Sequence, residues 1–319
     1  MKSHRFTQVA VTVLFACVVA FAGVRSNRRT NPQNKHTAQP NGMAAGVNNL
    51  PEAAKTATGA ESRTAAYAPF REAAIQNAQL EGSLSWSFGG KSQRGWGLYV
   101  PLIANLIGSD ANVEGNSFAA RLAVWQKESG GEPNGVLDSS TWSRMVSEFQ
   151  ARRLGGRTYP TSDELITIPI NDCYDPTRAE ELRKAERDTF TAYKKMVAEA
   201  VADSSLGLRT ASAGQLAADE KYFKIISAYR SREYQDQLRR QSPTSGRAGL
   251  AINSPHATGR ALDIYVGGEP VNTKDENRAI QVRTPAYRWL VVNAARFGFR
   301  PYFYEPWHWE YVGVGSATK

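Results

Sequence analysis

The residues best able to do chemistry lie in two short stretches near the C-terminal end. The first is Ser254-Pro255-His256-Ala257-Thr258-Gly259-Arg260-Ala261-Leu262-Asp263, and the second is Glu305-Pro306-Trp307-His308-Trp309-Glu310-Tyr311. Only four histidines are present, His4, His36, His256 and His308, so imidazole chemistry draws on a short list. Two imidazoles and one carboxylate suit a zinc ion and leave its fourth position open for water. Gly259 lets the chain turn between His256 on a loop and Asp263 on a following strand. Pro306 argues against one helix through Glu305 and His308, so the pattern is not the helical H-E-x-x-H arrangement. A water activated at such a site needs a base, and Glu305, three residues before His308, is well placed. The competing reading makes both histidines half-buried core residues and Asp263 a strand-end cap. It is the weaker one, because both histidines stand beside acids and a Gly or Pro turn.

These groups need a scaffold that brings distant segments together. Ala261 to Val266 alternates around Leu262, Ile264 and Val266, and Tyr222 to Tyr229 is rich in β-formers. His308 to Val312 reads as a last short strand. Arg178 to Ala202 reads as one helix, and Pro285 to Phe297 as another, closed by Gly298. The expected fold class is α+β, a small and mostly antiparallel sheet with flanking helices, preceded by a small helical domain.

In that order the residues resemble the VanY-type zinc D-alanyl-D-alanine carboxypeptidases. The likeness spans about residues 175–314 and rests on four segments. They are Ser227-Ala228-Tyr229-Arg230-Ser231-Arg232-Glu233-Tyr234-Gln235, then His256 to Asp263, the helix from Trp289 to Phe299, and Glu305 to His308. The resemblance implies a fold shared with lysostaphin-type endopeptidases and the Hedgehog signalling domain. It implies zinc on His256, Asp263 and His308, and Glu305 as general base and later acid. It also implies that Arg230 polarises the scissile carbonyl, while Ser254 and Gln235 hold the substrate peptide, Ser254 near its terminal carboxylate. Two positions depart from the family pattern: Ile252-Asn253 replaces Pro-Gly, and Glu310 stands where arginine is usual. On a strand Glu310 shares a side with His308, as a carboxylate that orients the ligand or as a solvated edge residue.

The preceding stretch, residues 67–157, holds Trp86, Trp96, Trp125 and Trp142, and so a core of its own. Phe118, Leu122 and Trp125 share a helical face; Ser139, Ser140 or Thr141 can cap a second helix bearing Trp142, Met145, Val146 and Phe149. Gln126, the run Gly135 to Trp142, and Phe149-Gln150 resemble a three-helix peptidoglycan-binding module. The alternative is a helical spacer with no ligand. The zinc D,D-carboxypeptidase-like catalytic domain is expected over 158–319, with all the metal ligands inside it.

Composition frames the rest. The 319 residues are 41% hydrophobic and 22% charged, which excludes a wholly disordered or fibrous chain. Two cysteines, Cys17 and Cys173, exclude a disulfide framework or a thiolate zinc cluster. The formal charge is +9, and residues 1–66, with eight basic residues and two acids, carry six of it. The folded part is nearly balanced, which argues against a nucleic-acid partner. Lys2 and Arg5 precede an uncharged run from Val9 to Val24, so residues 1–24 read as a signal peptide or short membrane anchor. Residues 25–66 lack aromatics and read as a disordered linker. The expected protein is exported to the periplasm or cell envelope, where it trims peptidoglycan stem peptides and holds the cell wall through residues 67–157. Membrane contact is expected only through an uncleaved N-terminal segment. The alternatives are an L,D-carboxypeptidase or cross-link endopeptidase on the same site, or a non-catalytic wall-binding protein.

Overall fold

The computed structural model describes residues 68–156, 158–212, 214–241 and 254–315. The segments expected as export signal and linker, and Ile252-Asn253, lie outside the described residues. Among the described residues no helix is long and apolar enough to cross a membrane.

Helix α1, Arg71–Ser83, leads into a hairpin of β1, Ser85–Phe88, and β2, Lys91–Arg94, paired antiparallel. The small helical segment expected here thus also carries a two-stranded hairpin. Gly89 and Gly90, both at positive φ, make the turn, and Trp86 and Phe88 alternate along β1 toward the interior. Three helices follow: α2, Val100–Ile107; α3, Asn116–Glu128; and α4, Ser139–Ala151. Helix α4 is capped by Asp138, one residue before the expected positions, with its carboxylate accepting from Thr141 N at 2.8 Å. Such a cap contributes about 1 kcal/mol. The Gln126 amide donates to Asn134, Val136 and Thr141, and its oxygen accepts from Gly135 N at 2.8 Å. The residues that carry the wall-module likeness therefore brace one another around the turn before α4.

Strand β3, Leu165–Thr167, pairs with β4, Lys184–Glu186, and helix α5, Arg187–Ala202, starts immediately afterwards. The helix expected from Arg178 is thus nine residues shorter. Glu186 is the reason, because its carboxylate accepts from Asp188 N and Thr189 N and fixes the first turn. After β5, Thr210–Ser212, and β6, Gln215–Leu216, comes the central sheet. Its strands are β7, Ile225–Ser227; β8, Ala261–Ile264; β9, Phe299–Pro301; and β10, His308–Tyr311. Their order is β7-β8-β10-β9, antiparallel throughout. Helices α6, Arg232–Gln241; α7, Asp275–Gln281; and α8, Pro285–Asn293, lie between these strands in sequence, and Gly298 ends the turn after α8 at φ 84°. The architecture is α+β, as expected.

Leu262, Ile264 and Trp309 face the core from β8 and β10, and are buried almost completely. That core continues without a break into Trp96, Tyr99, Trp142 and Phe149 of the preceding helical segment. Residues on both sides of position 157 therefore bury one apolar surface.

Candidate metal centre

Alternation on β8 and β10 sends Asp263, His308 and Glu310 to the face opposite Leu262 and Trp309. Asp263 stands directly opposite His308 in the β8–β10 pairing, and Ser227 of β7 lies opposite Asp263 on its other side. His256 enters from the short 3-10 turn Pro255–Thr258, whose first backbone N–H groups include His256 N, capped by Ser254 Oγ at 3.4 Å. Gly259 closes that turn at φ 69°, and a Cβ there would meet Glu186 N at 2.9 Å. Glu186 N donates to Gly259 O at 3.1 Å, so the turn that carries His256 is laced to β4.

The imidazole roles follow from their partners. His256 Nδ1 lies 2.6 Å from Ala228 O, so it carries a proton and donates, leaving Nε2 as an acceptor. His308 Nε2 lies 3.2 Å from Glu310 Oε1 and donates there. The inward atoms are then His256 Nε2, His308 Nδ1 and Asp263 Oδ1. Their separations are 3.2, 2.9 and 3.2 Å. Ligand atoms about 2.0–2.2 Å from one tetrahedral zinc stand roughly 3.3–3.6 Å apart, so the triad needs to open by only a few tenths of an ångström. Two imidazole nitrogens and one carboxylate oxygen, all buried, are the donor set zinc takes. The residues fit the ion.

Charge is distributed to match. Burial works against the Asp263 carboxylate, yet His256, His308 and Arg230 hold it well below the ordinary range. Burial, helped by Arg230, lowers His256 to about 4. Burial opposes a charged His308, but hydrogen bonds to Asp263 and Glu310 raise it to about 9. Burial pushes Glu305 up to about 7 against the pull of His308. Glu310 is fully buried; desolvation disfavours its charge, and His308 with Arg153 nevertheless holds it at about 2.

With His308 at about 9, the ion-free protein keeps a proton on Nδ1 at neutral pH, and zinc must displace it. Zinc uptake at pH 7 should release about one proton from His308 and a further fraction from Glu305, and affinity should rise with pH until about 9. Calorimetry in buffers of different ionisation enthalpy measures this. Proton-neutral uptake at pH 7 would remove His308 Nδ1 from the ligand set.

Arg230 stands two residues before α6, with its guanidinium turned toward Asp263. Its side chain is 12% exposed, and its guanidinium donates to Asp263 Oδ2 at 2.9 Å, Ser227 Oγ at 3.1 Å and Gln235 Oε1 at 3.3 Å. Among the described residues these contacts take three of its five N–H donors. Gln235, buried on α6, orients Arg230. Glu305 is buried in the turn before β10, with His308 N donating to Glu305 O at 2.9 Å. Ser254, also buried, spends its hydroxyl oxygen on His256 N and retains its O–H hydrogen as a donor. Glu310 is no solvated edge residue. Sequence reasoning missed its cation, Arg153, and the second contact, Leu154 N to Glu310 Oε2 at 2.9 Å.

The site lies within a recognisable stretch of chain. Residues 184–314 match the VanY family of D-alanyl-D-alanine carboxypeptidases. A curated D-alanyl-D-alanine carboxypeptidase of Enterococcus faecalis is 32% identical over 126 residues, 35% of this chain and 41% of that one. The chain thus spans less than half the length of that relative. A solved structure of VanYB in complex with D-Alanine-D-Alanine aligns at 24% identity over 43% of this chain and 76% of that one, with a TM-score of 0.28. His256, Asp263, Glu305 and His308 all fall inside the VanY match, whereas Arg153 and Leu154 precede it.

Proposed function

We propose that the protein is a zinc-dependent D-alanyl-D-alanine carboxypeptidase acting on the stem peptides of peptidoglycan. The observation that carries this reading is the convergence of His256 Nε2, His308 Nδ1 and Asp263 Oδ1 within 3.2 Å of one another, inside the VanY match. Zinc held there would supply Lewis-acid polarisation of water and of the scissile carbonyl. Glu305, poised by burial near neutral, takes the proton of the attacking water and later gives it to the departing amine of the terminal D-Ala. The Arg230 guanidinium, fixed by Asp263, Ser227 and Gln235, offers its remaining N–H groups to the oxygen that gains charge. A cation already held in place costs no reorganisation when that charge develops. Ser254, two residues from His256, donates to the substrate's terminal carboxylate, and Gln235 acts through Arg230.

Cell-wall remodelling, export to the envelope and wall contact through residues 67–157 belong to the same reading, since the substrate lies in the wall. Their support is the likeness to a peptidoglycan-binding module and the uncharged run after Lys2 and Arg5.

The test is chemical. Mass spectrometry of digested muropeptides should find free D-Ala released from stems ending in D-Ala-D-Ala. A hydrogen bond to a charged group contributes about 1.5–3 kcal/mol, or about 10- to 150-fold in binding. Amidating the terminal carboxylate should therefore slow cleavage at least about tenfold, and Ser254→Ala should shrink that difference. Equal rates on free-acid and amidated peptides would sink the carboxypeptidase reading in favour of a cross-link endopeptidase. Release from L,D-linked stems alone would make it an L,D-carboxypeptidase.

A further inference from the structure

Glu310 is fully buried and stands two residues from His308 on the same strand face. A buried carboxylate needs hydrogen-bond partners for both of its oxygens. Its cationic partner comes from the segment before the VanY match. Arg153, just past the end of α4, donates to Glu310 Oε1 through Nε at 3.0 Å and again through its terminal nitrogen. Leu154 N takes the other carboxylate oxygen at 2.9 Å. The guanidinium also lies over the Tyr302 ring, 4.0 Å from its centroid, and that ring in turn stands edge-on to His308 at 5.9 Å. Both oxygens of Glu310 and one ring beside His308 are thus held by two consecutive residues, 31 and 30 positions before the VanY match begins.

The turn that carries Glu305 rests on the same segment. Phe303 packs against Phe88, Tyr99 and Phe149 at centroid distances of 4.8, 5.4 and 6.1 Å. The Arg278 guanidinium, buried beside Tyr304, donates to Tyr99 Oη at 3.0 Å and to Tyr304 O at 3.2 Å. Neither flank of His308 is therefore complete without residues that precede 157.

We infer that Arg153 and Leu154, which precede the VanY match, are positioning residues of the metal centre: they fix Glu310, which fixes the His308 ring. This rests on reading His256, Asp263 and His308 as the zinc site. A carboxylate on the far nitrogen of a ligating histidine sets its tautomer and raises its basicity, and losing such a partner typically weakens metal binding or activity about 10- to 100-fold. The segment expected to act as an independent wall tether then has a second task at the other domain's ion.

The experiment uses the full chain and competes zinc against a chelator of known affinity. Arg153→Met should weaken zinc about 10- to 100-fold, and Arg153→Lys should recover part of that loss. Glu310→Gln should weaken zinc comparably, and Arg153→Met added to Glu310→Gln should cost little more, because both act through one carboxylate. Arg152→Met, which removes an exposed charge paired with Glu148, should leave zinc affinity unchanged. If Arg153→Met does not fold by circular dichroism, Arg153→Gln, which keeps hydrogen bonding without the charge, carries the same outcomes. Unchanged zinc affinity in the folded variant, or full additivity with Glu310→Gln, overturns the inference and leaves the zinc reading intact. A wild-type chain that binds no zinc overturns both.

Discussion

His308→Ala should purify with little or no zinc, whereas the wild-type chain should hold about one ion per molecule, as expected of a site with three protein ligands and one open position. The variant removes one of three buried ligands and leaves Glu310 facing Arg153 with no imidazole between it and Asp263. His256→Ala has the same outcome by a different route, since it takes away the nitrogen that the Ala228 carbonyl aims inward. In both variants turnover should fall to the level of chelator-treated wild type. Metal analysis decides, with circular dichroism showing that the chain is folded. Full zinc occupancy in either variant would end the assignment of that histidine.

Glu305→Gln should keep its zinc and lose about 10²–10⁴-fold in turnover, the usual contribution of one acid/base group. The amide matches the carboxylate in shape, so the buried turn that donates His308 N to Glu305 O is undisturbed. The pH profile adds a second signature. A base acts only when deprotonated, so kcat/KM of the wild type should fall as pH drops through the Glu305 pKa. Burial sets that value at about 7 without the ion, and a cation on the triad pulls it down toward the ordinary glutamate range. Glu305→Gln should lose this acidic limb as well as the rate. Near-normal turnover in the variant would remove Glu305 from the chemistry.

The site's inward groups were legible because their chemistry is written locally. Leu262, Ile264 and Val266 alternate, which assigns Asp263 to the opposite face, and Pro306 excludes the helical alternative for Glu305 and His308. Glu310 was legible only by half. Its side of the strand follows from a spacing of two, but its cation lies 157 residues away, and no local pattern connects Arg153 to it. Elsewhere the failures were of propensity. The stretch from Arg178 is charged and helix-prone, yet three of its residues pair with β3 and Glu186 caps the helix later than periodicity alone suggests. The hairpin from Ser85 to Arg94 lies within the segment expected as a small helical domain, and Gly89-Gly90 after the alternating Trp86 and Phe88 is its local signal.

Asp263 and His308 face each other directly across β8 and β10, which couples ion binding to strand pairing. Side chains alternate with a period of two, so a slip of one residue would turn Asp263 toward the core and bring Leu262 or Ile264 to the site. A sheet paired that way offers no triad. Binding confined to the correct pairing stabilises it by RT ln(1 + [L]/Kd), about 4 kcal/mol at a thousandfold excess over Kd, and gives the slipped sheet nothing. An ion on the triad would act as a proofreader of assembly, favouring the one pairing that brings its three ligands together over any slipped one.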